Sequence, residues 1–188
     1  MPDNTLKIYL DQHSFDIPGG SEATEAKLNS VMPLVGEIAL HFNALEATLD
    51  GIIATIITES SNDIGYTLLS RMTFSQKVEV FKDLIIPMCS YTEKTLEMAS
   101  GLEIIAVKLR EAAEMRNRAL HAHWFEANKE LFVRTKVKVD KKGVYGIFVK
   151  LNRTTLNQYI TRINRTDIKL GSLYEKFEQA LYNNSDKL

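Results

Sequence analysis

The chain has 188 residues, 45% hydrophobic and 25% charged, with a formal net charge of −1. That balance suits one ordinary globular domain with room for a sizeable core, and it excludes a polycation that coats nucleic acid over its whole surface. A single cysteine, Cys89, excludes an internal disulfide and a cysteine-cluster metal site. Residues 1–17 alternate charged and apolar positions, so no signal peptide is expected, and no unbroken run of about 18 apolar residues predicts a bilayer span. The expected setting is the reducing cytoplasm.

Residues 1–30 read as a polar N-terminal arm punctuated by Pro18-Gly19-Gly20, in which Leu6, Ile8 and Leu10 alternate and can add a short strand. Residues 31–188 read as one domain. Pro33 suits the first turn of a helix. Val35, Ile38, Phe42, Leu45, Leu49, Ile52, Ile53 and Ile56 then keep a 3.6-residue rhythm. Asn62 or Asp63 can cap a short helix carrying Ile64, Leu68 and Leu69. A further helix starts at Ser75, points Val78, Phe81, Leu84 and Ile85 inward, and stops at Pro87. Thr92 opens a long helix through Leu96, Leu102, Ile105, Leu109 and Ala112 to about Leu120, weakened locally by Gly101. Over residues 131–151 the period changes from 3.6 to 2. Leu131, Val133, Thr135, Val137 and Val139 alternate with Phe132, Arg134, Lys136 and Lys138, and Asp140-Lys141-Lys142-Gly143 turns the chain into a β-hairpin. The last helix opens at Asn152 or Thr154, with an apolar seam at Leu156, Ile160, Ile163, Leu170, Tyr174, Phe177 and Leu181 and one polar interruption at Asp167. The expected fold is mainly α, a four- to five-helix up-down bundle with a β-hairpin, residues 131–151, inserted before the C-terminal helix.

The segment Arg116-Asn117-Arg118-Ala119-Leu120-His121 closes the long helix. A guanidinium can grip a phosphate through two parallel hydrogen bonds, and an imidazole can pass a proton near neutral pH. On an ideal helix Arg116 and His121 lie about 140° apart, so one chain does not present them on one face. Asn117 and His121 are i, i+4 neighbours. Arg116 follows Leu109 by seven residues and points toward the interior, where it needs a partner, and Glu46 on the margin of the first long helix is the candidate. A site made from these groups therefore needs the helix to end or bend near His121, or needs a second chain. The alternative is structural: Arg116 as an ion-pair partner of Glu46, and His121 as a helix C-terminal residue favoured by the macrodipole.

The order of a long helix with Phe42-x-x-Leu45-Glu46, a broken second helix with Phe74-Ser75-x-Lys77, and a third helix closing in Arg116-Asn117-x-x-x-His121 resembles the HEPN superfamily (higher eukaryotes and prokaryotes nucleotide-binding). The likeness is to its stand-alone bacterial ribonuclease branch, and it covers roughly residues 32–125 and part of the last helix. It implies a metal-independent endoribonuclease without cofactor, acting as a homodimer with two motif helices facing one cleft. In that arrangement Arg116, Asn117 and His121 are the catalytic set. His121 helps activate the 2′-OH or protonate the leaving 5′-oxygen, Arg116 stabilises the phosphorane, and Asn117 orients His121 or the phosphate. The products are a 2′,3′-cyclic phosphate and a 5′-OH, with RNA as the substrate because the 2′-OH is the nucleophile. A toxin or phage-defence role, with a possible antitoxin protein as partner, follows from the same likeness. A nucleotidyl-acceptor branch carries Tyr two residues after the motif His; here that position is His123.

His123 stands as a supporting residue beside His121, and the only close carboxylate is Glu126, so no metal site is expected. Residues 129–153 hold eight cations against Glu130 and Asp140, a net +6. Arg134, Lys136, Lys138, Lys141 and Lys142 are the RNA-binding candidates. The competing reading is edge protection, in which strand lysines only block unwanted pairing. A catalytically silent RNA-binding or regulatory module on the same scaffold is the alternative to the nuclease. No membrane partner is expected.

Overall fold

A computed structural model of the chain describes residues 5–9, 22–58, 62–91, 93–120, 123–127 and 130–185. The elements are β1 (Thr5–Tyr9), α1 (Glu22–Ile57), α2 (Asn62–Leu69), α3 (Phe74–Met88), α4 (Glu93–Leu120), β2 (His123–Ala127), β3 (Glu130–Asp140), β4 (Gly143–Lys150) and α5 (Arg153–Ser185), with a 3-10 turn at Cys89–Tyr91. The protein is mainly helical with one small antiparallel sheet. Its contacts divide it into two compact units, and α1, α4 and α5 each contribute residues to both.

The first unit comprises Met1–Ala39 and Met115–Ile160. Its sheet has the order β1-β4-β3-β2, all pairs antiparallel. The β3–β4 turn holds Lys141 and Lys142 between the facing pair Asp140 and Gly143. Gly143 has φ +127, a conformation in which a side chain is strained, so glycine is required there. Leu131, Phe132, Val133, Phe148 and Leu151 are buried in this unit, as are Val31, Val35 and Ile38 of α1. Asn152 caps α5, its side-chain oxygen accepting from the Thr155 amide at 2.9 Å.

The second unit comprises Leu40–Glu114 and Thr161–Leu188. Phe42, Leu45, Leu49, Ile52 and Ile53 form the buried stripe of α1, and Phe42 meets Phe74 with ring centroids 4.7 Å apart. Thr73 and Gln76 form a reciprocal capping box at the start of α3. Val78, Phe81 and Ile85 of α3 are buried, as are Leu102, Ile105, Leu109 and Ala112 of α4.

Four features depart from the sequence expectation. Helix α1 begins at Glu22, so Pro33 lies well inside it rather than in its first turn. In α2 only Leu69 points inward. Ile64 and Leu68 are exposed, because Gly65 rather than either faces α1, where an added Cβ would stand 2.8 Å from Ala54 Cα. The buried seam of α5 keeps Leu156, Ile163, Leu170 and Phe177 as expected, but between them Tyr159 and Thr166 are buried in place of Ile160 and Asp167. Its polar interruption is Thr166, which is tolerated because its hydroxyl donates to the Arg162 carbonyl at 2.9 Å. Finally, among the described residues one helix, α1, is long and apolar enough to cross a membrane, with an 18-residue window of mean hydropathy 1.2. An unbroken apolar run is a stricter test than this average, which absorbs carboxylates. Glu46 and Asp50 of this helix are ion-paired to Lys77 of α3.

Candidate nucleic-acid site

At the C-terminal end of α4, Met115 and Ala119 are the buried positions, Arg116 is half-buried, and Asn117 and Arg118 are exposed. The Arg116 guanidinium donates from Nη1 to the Asn117 side-chain oxygen at 3.0 Å. The structure therefore brings together two of the three motif side chains, and the bond fixes the direction of the guanidinium fork. His121 lies outside the described residues. His123 opens β2 opposite Arg134 of β3.

Glu46, the partner expected for Arg116, belongs to the second unit and accepts from Lys77 Nζ at 2.7 Å. The same ammonium donates to Asp50 Oδ2 at 2.8 Å, and the Lys77 side chain is only 6% exposed. Glu46 and Asp50 are one turn apart on α1 and so can share a single cation. Burial alone would push the Lys77 pKa down, but hydrogen bonds to Asp50 and Glu46 outweigh it and hold it up. Burial raises the Asp50 carboxyl, against the pull of Lys77, and Asp50 Oδ1 is buried without a hydrogen-bond partner among the described residues. The sequence signal for this cluster is a lysine directly beside the inward-facing Val78, with Phe81 one turn on. Neither the pairing nor Asp50 was expected.

The hairpin supplies the charge. Lys136, Lys138, Lys141 and Lys142 are exposed, whereas Arg134 is placed only by its register opposite Phe148 and His123. Between Arg134 and Lys136 the register slips: Arg134 faces Phe148, but Lys136 faces Ile147, so Thr135 is an extra residue on β3. A bulge of this kind exchanges the faces of a strand. Lys136 and Lys138 consequently lie on the face of Leu131 and Val133, and Val137 and Val139 turn outward on the face of Phe132, 52% and 75% exposed. Strict alternation would have kept all the valines together.

On the lysine face of the tip, Lys7 of β1 sits 3.8 Å from the Tyr145 ring centroid and 4.8 Å from that of Tyr9. Its ammonium donates to Asp140 Oδ2 at 2.8 Å, the Tyr9 hydroxyl donates to the same oxygen at 2.9 Å, and the Lys142 amide donates to Asp140 Oδ1. Hydrogen bonding to Asp140 and Tyr9 raises the Lys7 pKa, and bonds from Lys7 and the Lys142 amide lower that of Asp140. Asp140 is thus neutralised by Lys7, leaving the other tip lysines uncompensated by the one carboxylate of the turn. Pairing with β2 ends at Arg134, so from Lys136 onward β3 pairs only with β4 among the described residues. Edge protection therefore also fits Lys136 and Lys138, but not Lys141 and Lys142, which lie in the turn.

No family model, curated protein or solved structure matches this chain.

Proposed function

We propose that this protein is an RNA-cleaving enzyme of the HEPN ribonuclease type, metal-independent and cytoplasmic, with its site completed at a homodimer cleft. The observation that carries the reading is that Arg116 and Asn117, joined side chain to side chain, occur in the same compact unit as a hairpin with four exposed lysines. A fixed guanidinium suits a phosphate in mid-reaction, and exposed lysines suit the phosphates on either side of it. The proposal includes an up-down arrangement of the five helices with the hairpin inserted before α5.

In this mechanism His121 of one copy takes the proton of the ribose 2′-OH, whose oxygen attacks phosphorus. The bond to the 5′-oxygen breaks, His121 of the second copy returns a proton to that oxygen, and a 2′,3′-cyclic phosphate remains. Arg116 holds the charge that builds on the phosphorane oxygens, with Asn117 fixing its approach. A toxin or phage-defence effector, restrained by an antitoxin protein, is the biological role this chemistry suits.

The test is cleavage of RNA in EDTA, with the ends identified chemically. Arg116→Ala should lower cutting at least about 100-fold and His121→Ala should abolish it, while the circular dichroism spectrum stays that of the parent. Two mutants that cut as well as the parent would sink the assignment. The second reading, a silent RNA-binding module, is favoured by the placement of the hairpin lysines on a surface that does not require Arg116. It expects salt-dependent binding with no cyclic-phosphate ends.

A further inference from the structure

The second unit has a groove that the RNA reading leaves unused. It lies between α4 and α5, encloses about 300 Å³, and has Ile105 and Leu173 among its lining. Ile104 and Ile168 are 57% and 61% exposed. Two large aliphatic side chains exposed beside one concavity form an apolar surface that another molecule can cover. Gly101 helps to open it. Glycine in mid-helix costs about 1 kcal/mol relative to alanine, and an added Cβ here would meet only Leu173 at 3.6 Å, an ordinary contact. Neither strain nor a close approach requires glycine at this position. Its absent side chain bares Leu173 to the groove.

The rim is cationic. Lys108 of α4 and Lys169 and Lys176 of α5 line the groove, the last two seven residues apart and so on one face of their helix. From Gly101 to Lys108, the α4 residues that line the groove, a helix rises about 10 Å, the length of two turns. The groove is therefore apolar along its lining and cationic along its rim, with two of its three lysines on α5.

We propose that this groove is the docking site for an amphipathic helix of a partner protein, one that carries an apolar ridge at i, i+3 or i+4, and i+7 with carboxylates on the flank facing α5. The ridge fills the space above Leu173 between Ile104 and Ile168, and the carboxylates meet Lys169 and Lys176. Charge complementarity favours carboxylates on the flank facing α5, where two of the three rim lysines stand. The inference concerns the second unit alone and does not rest on the ribonuclease reading.

The probe is a pair of synthetic helical peptides with the same leucine ridge, one flanked by Glu and the other by Lys, titrated into the full-length chain and followed by fluorescence anisotropy. The Glu-flanked peptide is expected to bind. Lys169→Glu/Lys176→Glu should weaken it about tenfold or more and give binding to the Lys-flanked peptide. Both substitutions lie on exposed positions of α5, so the fold is retained, and circular dichroism checks it. Ile104→Asp should remove binding of either peptide. The proposal fails if neither peptide binds, if both bind alike and ignore the charge reversal, or if Ile104→Asp leaves binding intact. It also fails if sedimentation shows the parent self-associating and Ile104→Asp monomeric, because the groove is then filled by a second copy. Binding of anionic phospholipid vesicles that Lys169→Glu/Lys176→Glu abolishes, with no peptide binding, would likewise overturn it.

Discussion

The two units place lysine in opposite situations. In the first, Lys136, Lys138, Lys141 and Lys142 stand in solvent at the tip of a hairpin, and the one carboxylate of the turn is already held by Lys7. In the second, Lys77 is 6% exposed and carries two hydrogen-bonded carboxylates with it. A cation in water can be lent to a phosphate, and the release of counterions drives the exchange. A cation out of water must bring its counter-charges along, and it then belongs to the architecture. Residue type does not separate the two roles. Position relative to the core does.

The comparison is broken most severely if the first unit proves chemically inert. Under the proposed function, Arg116→Ala should lower the rate of RNA cutting about 100- to 1000-fold, the scale seen when a preorganised group facing developing charge is removed. The readout is single-turnover cleavage in EDTA, and an unchanged rate would reduce the first unit to a binding surface.

Lys77→Met tests the architectural half. It leaves Glu46 and Asp50 facing each other with no cation, and the expected loss is about 2–4 kcal/mol. That is less than for a wholly buried pair because the Glu46 side chain is 30% exposed. Urea unfolding measures it, and a loss below about 0.5 kcal/mol would mean that water already serves these carboxylates. Gly65→Val should cost about 1–3 kcal/mol by forcing α2 away from Ala54.

A gentler test concerns salt. Replacing Lys136, Lys138, Lys141 and Lys142 together by Ser should flatten the slope of log affinity for single-stranded RNA against log salt by about 0.7 for each phosphate that is no longer neutralised. If affinity and slope hold, the lysines guard an edge. The smallest effect is in the Lys7–Asp140 latch, which is surface-exposed. The Asp140 pKa is lowered in the folded state, so its contribution is complete above the ordinary aspartate value and is lost as pH falls through the folded value. The Lys7 pKa is raised, so its own contribution is complete below the ordinary lysine value and is lost only as pH rises through the higher folded one. Two-dimensional NMR should accordingly show the pairing of β1 with β4 intact at neutral pH and weakened toward acid, with Lys7→Met reducing that acid dependence but not abolishing it, because the Lys142 amide and Tyr9 still bond Asp140.

How far the site could be read from sequence varies from residue to residue. Arg116 and Asn117 are visible as neighbours at the end of a helical pattern, and their side-chain bond needs no distant information. Glu46 was legible as a carboxylate on the margin of α1, but its engagement with Lys77 was not, because that lysine lies 31 positions away on another helix. Lys7 had no signal at all. Its role depends on β1 pairing with β4, which brings Lys7 beside a turn 133 positions away.

By itself the sequence determined whatever has a short period. The stripe of α1 from Val35 to Ile53, the buried face of α4 from Leu102 to Ala112, and the strands on either side of Asp140-Lys141-Lys142-Gly143 all follow from spacings of 3.6 or 2. Tertiary structure alone decided the phase. It chose Thr166 over Asp167 in the seam of α5, turned Gly65 rather than Ile64 or Leu68 toward α1, and sent Val137 and Val139 outward through the bulge at Thr135. The physical reason is that several neighbouring phases offer a helix or strand similar apolar burial. The choice among them falls to the partner surface, through steric fit and the satisfaction of each buried polar group, and that partner is remote in the chain.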